Sequence, residues 1–311
     1  MFKWLSRLFG WSKRTKEKQA TLASVGLASL ERIVLTDGVA RTLFEDFAEH
    51  RRSARGDEEI GWVLMGLRQG TEAVALAALP AGAERDAGAA HVQFNSEAQA
   101  LASRIIRQSD KRLAIIGVVH THPGSMRSPS SGDLHGDSQW VANLRGGEGV
   151  FAIGTADART QGRIDASNIQ AYGDLCFSWC ALGKGDARYR SLPVQVAIGN
   201  DLASPLRPVW NVIESHAEPL NKLSRLFAKV EYEAAKIADA PTLVVKIALA
   251  EPRQQIHLLL SDTGARYYWS VDKELIAVGA DEGQLDRAVF LILAELAKGP
   301  IIKTAAMPTF V

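Results

Sequence analysis

Residues 115–137 read IIGVVHTHPGSMRSPSSGDLHGD, and the residue types in this stretch decide how the rest of the chain is read. The run 113–119 is apolar and partly β-branched with a single glycine, the pattern of a buried strand. It ends on His120-Thr121-His122. Side chains alternate along a strand, so His120 and His122 share one face. Two imidazoles held that way can share one cation. Pro123 ends the strand, and 124–129 shows no helical period, which makes it a loop. Ser130 and Asp133 follow, Asp133 near the start of a helix that takes in Trp140, Val141 and Leu144. From there a carboxylate can fold back toward the histidines as a third ligand. Two histidines, one carboxylate and an open fourth position describe a catalytic zinc site.

A His-x-His pair on a strand is, by itself, more often two exposed polar residues than a metal site. The full spacing says more: two histidines one residue apart, seven residues, a serine, two residues, an aspartate. Placed on His120, His122, Ser130 and Asp133, this spacing resembles the signature of the JAMM (MPN-plus) metalloproteases, whose best-known members are deubiquitinases. Pro123 and Gly124 match the family's usual continuation. The family pattern also asks for a glutamate on the first strand, a glycine three residues later and a short apolar run. Some sixty residues upstream the chain offers Glu58-Glu59-Ile60-Gly61-Trp62-Val63-Leu64-Met65-Gly66. Glu58 has that spacing to Gly61, so it is taken as the catalytic glutamate, with Glu59 one register away. The likeness covers about half of the chain and resembles that of bacterial JAB-type members.

The resemblance implies an α/β fold, a JAMM/MPN-like mixed sheet with flanking helices. It implies one zinc held by His120, His122 and Asp133, with Glu58 as the general base that later returns its proton to the leaving amine. It also implies that the Ser130 hydroxyl donates a hydrogen bond to the oxyanion. Ser130 can equally cap the following helix, whereas Ser128 and Ser131 miss the spacing. The implied activity is that of a zinc isopeptidase or peptidase cutting after the C-terminal tail of a ubiquitin-like protein. Its partners would be that protein or its conjugates, with activating and conjugating enzymes as associates. The alternatives are a catalytically silent MPN-type scaffold and a DNA-repair-associated protein of the same fold.

Neighbouring residues receive blander readings. His135, Cys176 and Cys180 are weighed as a second, structural zinc site, but a Cys-x-x-x-Cys pair on strand-like sequence is more often core, and one zinc is expected. Asp137 is read as a solvated helix residue or a partner behind a histidine, and Arg127 as a surface residue.

The chain has 311 residues, enough for two domains. Its 36 Lys+Arg against 35 Asp+Glu leave no global field for nucleic acid. Two cysteines make no disulfide framework and fit a reducing compartment, hence the cytoplasm. Residues 1–29 form a basic segment with helical apolar spacing and a linker. Docking to a partner and packing on its own domain are favoured there over membrane contact. The peptidase domain is placed at 30–196, with a strand and an Asp37-capped helix over 32–55 and strands over 58–67, 72–79, 91–95, 149–155 and 164–172. Residues 97–108 are read as a helix. A linker spans 197–209 around Pro205 and Pro208. An α+β accessory domain occupies 210–311. Within it Leu220, Leu223, Phe227, Val230 and Ile237 are read as one helix face. Strands follow over 243–250, 256–261, 265–271 and 275–278, then a last helix from Asp281 to Gly299-Pro300.

Overall fold

The computed structural model describes residues 27–82, 86–88, 91–159, 166–251, 253–272, 274–279 and 284–297. The N-terminal basic segment and both ends assigned to the last helix lie outside these residues. The chain divides into two units. One takes in the chain up to Gln99 with Asp110–Ser204, the other Ala100–Ser109 with the chain from Pro205 onward.

In the first unit, β1 (Arg32–Thr36) leads into α1 (Asp37–Arg52), followed by β2 (Gly61–Gln69), β3 (Glu72–Pro80) and the short hairpin β4 (Asp86–Gly88) and β5 (His91–Gln93). After α2 (Ser96–Ile106), whose residues from Ala100 on count with the second unit, come β6 (Ala114–Thr121), α3 (Ser131–Val141), β7 (Glu148–Thr155), β8 (Ile169–Tyr172), β9 (Leu175–Gly183), β10 (Arg190–Ser191) and β11 (Val194–Ala197). Apart from the β4–β5 hairpin, the strands form a nine-stranded mixed sheet in the order β10-β9-β7-β6-β2-β3-β1-β11, with β8 paired to β9. The mixed sheet with flanking helices expected from the sequence is therefore present.

Helices cover both faces of the sheet. Val39, Leu43 and Phe47 of α1 pack with Trp62, Leu64, Phe177 and Trp179 on one face. Trp140, Val141 and Leu144, from α3 and the turn after it, pack with Phe151, Cys180 and Leu182 on the other. This explains why β7, buried at every position, reads as an unbroken apolar run rather than an alternation. β6 lies antiparallel to β2 and parallel to β7. Gly117 permits that approach, because a Cβ there would sit 1.9 Å from the Val150 carbonyl oxygen.

Two sequence-based boundaries change. Thr36, not Asp37, caps α1: Thr36 is the last extended residue and its hydroxyl accepts the Val39 N–H at 3.2 Å. The Asp37 carboxylate accepts the Gly199 N–H instead. The stretch assigned to a linker begins inside the first unit, since buried Asp201 accepts bonds from the Thr42 hydroxyl and the N–H groups of Ala78 and Ala203.

In the second unit, α4 (Trp210–Leu226) precedes a five-stranded antiparallel meander of β12 (Val230–Ile237), β13 (Ala240–Ala248), β14 (Gln254–Ser261), β15 (Gly264–Val271) and β16 (Glu274–Val278). Helix α5 (Leu285–Ala297) closes it. The single helix face from Leu220 to Ile237 is a correction. Phe227 is extended at ψ 139°, and beyond it exposed Glu231 and Glu233 flank buried Tyr232, the period of a strand. Among the described residues no helix is long and apolar enough to cross a membrane.

Candidate metal centre

His120 is the penultimate residue of β6, and His122, just past its end, extends the same ladder by donating its N–H to the Gly154 carbonyl of β7 at 2.8 Å. Alternation then puts both imidazoles on the α3 side of the sheet. Their Nε2 atoms lie 3.2 Å apart. Asp133, in the first turn of α3, brings Oδ1 to 3.3 Å from His120 Nε2 and Oδ2 to 3.6 Å from His122 Nε2. Among the described residues these three are the group whose ligand atoms all lie within 4.8 Å of one another. A tetrahedral zinc with bonds of about 2.0–2.1 Å has edges of roughly 3.3–3.4 Å, and the 3.2 Å between the two Nε2 atoms is close to one such edge, with a carboxylate oxygen of Asp133 near each imidazole.

Local electrostatics agree with a cation at this point. Burial would raise the Asp133 pKa, but the neighbouring His120 and His122 imidazoles and the Ser130 N–H outweigh it and hold the carboxyl far below the usual range. Burial likewise opposes charging of His122, yet Asp133, the Met126 carbonyl and Glu59 raise its pKa. The Met126 carbonyl lies 2.8 Å from His122 Nδ1. A carbonyl only accepts, so the bond puts the proton on Nδ1 and turns the Nε2 lone pair to the site.

Ser130 is the N-cap of α3 in a reciprocal capping box with Asp133. Its Oγ accepts the Asp133 N–H at 3.2 Å, and its own N–H donates to Asp133 Oδ2 at 2.6 Å. The structure shows the cap reading of Ser130, and the cap holds its hydroxyl beside Asp133.

The structure separates the two glutamates against the sequence-based choice. The Glu58 carboxylate, its side chain 31% exposed, is paired with Arg55 at 2.6 Å. Glu59 is 5% exposed. Burial lifts its pKa above the ordinary carboxylate value, against the pull of His120 and His122 and with Asp133 adding to the rise. The register gives the reason. Gly61 pairs with His120 across β2 and β6, and the Thr121 N–H donates to the Ile60 carbonyl. One further residue on each strand sets Glu59 opposite His122. Counting in twos from Gly61 along an extended chain would have selected Glu59 from sequence, while counting in threes lands on the opposite face.

Other expectations are also revised. Arg127 is no surface residue: its guanidinium is bound to the Asp157 carboxylate, with Nε at 3.0 Å and 3.2 Å from the two oxygens. Asp137 is not a solvated helix residue. It accepts the Tyr189 hydroxyl at 2.7 Å, and burial pushes its pKa up to about 7. His135 is exposed and lies 3.1 Å from Gln139 Nε2. Cys176 and Cys180 are buried free thiols on β9, the first near Thr155 and Asp157, the second in the apolar layer under α3.

A mixed α/β sheet with a two-histidine, one-carboxylate centre at the end of a central strand defines the class of the first unit. Residues 40–166 match the family of prokaryotic homologs of the JAB domain, which supports a JAB-type family for this part of the chain. Among solved structures, the chain is similar to the solution structure of protein DSY2949 from Desulfitobacterium hafniense. The two are 16% identical, with 54% of this chain and 94% of that chain covered and a TM-score of 0.37. No curated protein matches the chain.

Proposed function

We propose that this chain is a zinc-dependent peptidase or isopeptidase that cuts after the C-terminal tail of a ubiquitin-like protein. The reading is carried by two histidines and an aspartate whose donor atoms converge closely enough to hold one ion, with a second buried carboxylate, Glu59, two residues before the neighbouring strand β2. His120, His122 and Asp133 would hold the ion. Bound zinc supplies a Lewis acid that brings the pKa of water toward neutrality and polarises a carbonyl.

The chain's own residues do the proton work. Glu59, in place of Glu58, accepts a proton from the attacking water and delivers it to the departing amine. The water oxygen joins the carbonyl carbon, the C–N bond breaks, and the proton ends on nitrogen. A raised carboxyl pKa suits both halves of that exchange, because acid and base catalysis are most efficient near the working pH. Ser130 uses a lone pair on the Asp133 N–H, and its O–H proton serves the developing oxyanion. The substrate class rests on the likeness to JAMM-type enzymes and is an analogy.

The test is zinc content together with cleavage of a ubiquitin-like protein fused through its tail, for wild type, His122→Ala and Glu59→Gln. The expected result is about one zinc in wild type and Glu59→Gln, loss of zinc in His122→Ala, and cleavage by wild type alone. A wild type that takes up no zinc after reconstitution sinks the reading in favour of a scaffold. Zinc without cleavage of tail fusions overturns the substrate class.

A further inference from the structure

We infer that Arg127 and Asp157 form a clamp that positions His122 for metal binding by fixing the carbonyl of Met126. The inference rests on the zinc-site reading above and assigns residues that reading does not use. Between His122 and Ser130 the chain loops over the surface. Gly124, Ser125 and Met126 are exposed, Met126 by 52%, so apolar burial does not hold this segment. Yet its Met126 carbonyl accepts the Nδ1–H bond that sets the ring and tautomer of His122.

Arg127, one residue on, reaches back to the end of β7. Its Nε donates to both carboxylate oxygens of Asp157, and its Nη2 donates to the Asp157 carbonyl at 3.2 Å. The two side chains are only 14% and 7% exposed. Asp157 is itself oriented, accepting the Thr155 hydroxyl at 2.6 Å with the Cys176 thiol 3.5 Å away. A buried ion pair is weak evidence for stability, because desolvation offsets much of the attraction. Several bonds converging on one rigid strand end do fix a position. The carbonyl that touches His122 thereby hangs from a point anchored to the sheet, although its own side chain packs on little. Arg127 is a positioning residue: it is not one of the three candidate ligands and acts through Met126.

The experiment uses the full chain as wild type, Arg127→Lys and the double variant Arg127→Ala/Asp157→Ala, which leaves no lone buried charge. Nitrogen-15 NMR of the metal-free protein reads the His122 tautomer, and titration with zinc against a chromophoric chelator reads affinity. Wild type should show His122 protonated on Nδ1. In the double variant the tautomers should mix and zinc affinity fall by about 10–100-fold, the usual scale for a ligand's outer partner, with little change in thermal midpoint. Arg127→Lys keeps one charged donor and should recover part of the loss. If the double variant does not fold, Asp157→Asn, which keeps the acceptor for Thr155, is read in the same way. A folded variant with the wild-type tautomer and wild-type zinc affinity overturns the clamp. A wild type that binds no zinc would count against the proposed function alone, since the tautomer measurement decides the clamp without metal.

Discussion

Glu59 faces His122 across the junction of β2 and β6, one residue beyond the Ile60–Thr121 hydrogen bond that extends their pairing. Glu58, its chain neighbour, points the other way into an exposed pair with Arg55. The two therefore make a matched comparison. Glu59→Gln should retain zinc and lose about 10²–10⁴-fold in kcat/KM, the usual worth of a general base. Glu58→Gln weakens a partly exposed ion pair with Arg55 and should stay within about threefold, since such pairs contribute little. A base must be deprotonated in the free enzyme, and the Glu59 pKa is raised. Activity should thus climb with pH on the acid side, and Glu59→Gln should abolish the climb. A Glu58→Gln protein as dead as Glu59→Gln would show the assignment to be wrong.

Ser130 combines a cap with a proposed donor, and one pair of substitutions separates them. Ser130→Ala removes the bond accepted from Asp133 and should destabilise the metal-free protein by about 1 kcal/mol. Ser130→Asn caps about as well and should restore that stability, but its amide cannot stand where the hydroxyl stood. Both variants should lower kcat with zinc content unchanged. If Asn restores activity together with stability, Ser130 is only a cap.

The convergence of His120, His122 and Asp133 was legible from sequence because spacing along one strand and one helix turn carries their geometry, with few long-range facts needed. Glu59 was legible in principle, since strand parity links it to Gly61, but a matched spacing to that glycine selected its neighbour. Arg127 was not legible. Its partner Asp157 lies past α3 and β7, and only the parallel pairing of β6 with β7 brings the two together. Asp137 looked like an ordinary polar helix position until Tyr189, from the loop before β10, was found against it. The second unit shows the converse error. Leu220, Leu223, Phe227 and Val230 do fit a helical period, yet the Glu231-Tyr232-Glu233 alternation marks where strand pairing takes over.

Gly117 sets how closely β6 approaches β7, and so where the histidines stand. A Cβ at this position would press on the Val150 carbonyl, a backbone atom that cannot rotate away. Gly117→Ala should cost about 1–3 kcal/mol or more, the range for overpacking, and should weaken zinc binding because His120 lies on the same strand. Gly124→Ala serves as the control. Nothing lies within 4 Å of its Cβ position, so its stability should stay within about 0.5 kcal/mol of wild type. Urea midpoints for the two, read at constant m-value, check the contrast. Equal midpoints would mean that the two strands can part without cost.

Asp137 gives the metal-free protein a pH dependence of definite sign. Burial lifts its folded pKa to about 7, against the hydrogen bond from Tyr189, while the unfolded chain keeps the ordinary 3.8. A folded pKa above the unfolded one means the folded state binds the proton more tightly. Its contribution is complete below the unfolded value and is lost as pH rises through the folded value. Stability should therefore fall between about pH 4 and pH 7, by no more than roughly 1.4 kcal/mol per pH unit from this group. Asp137→Asn keeps an acceptor for the Tyr189 hydroxyl and has no charge to bury. It should flatten the slope and leave the protein more stable than wild type at pH 8. Denaturant unfolding of metal-free wild type and variant across that range decides the matter. An unchanged slope in Asp137→Asn would place the titrating group elsewhere.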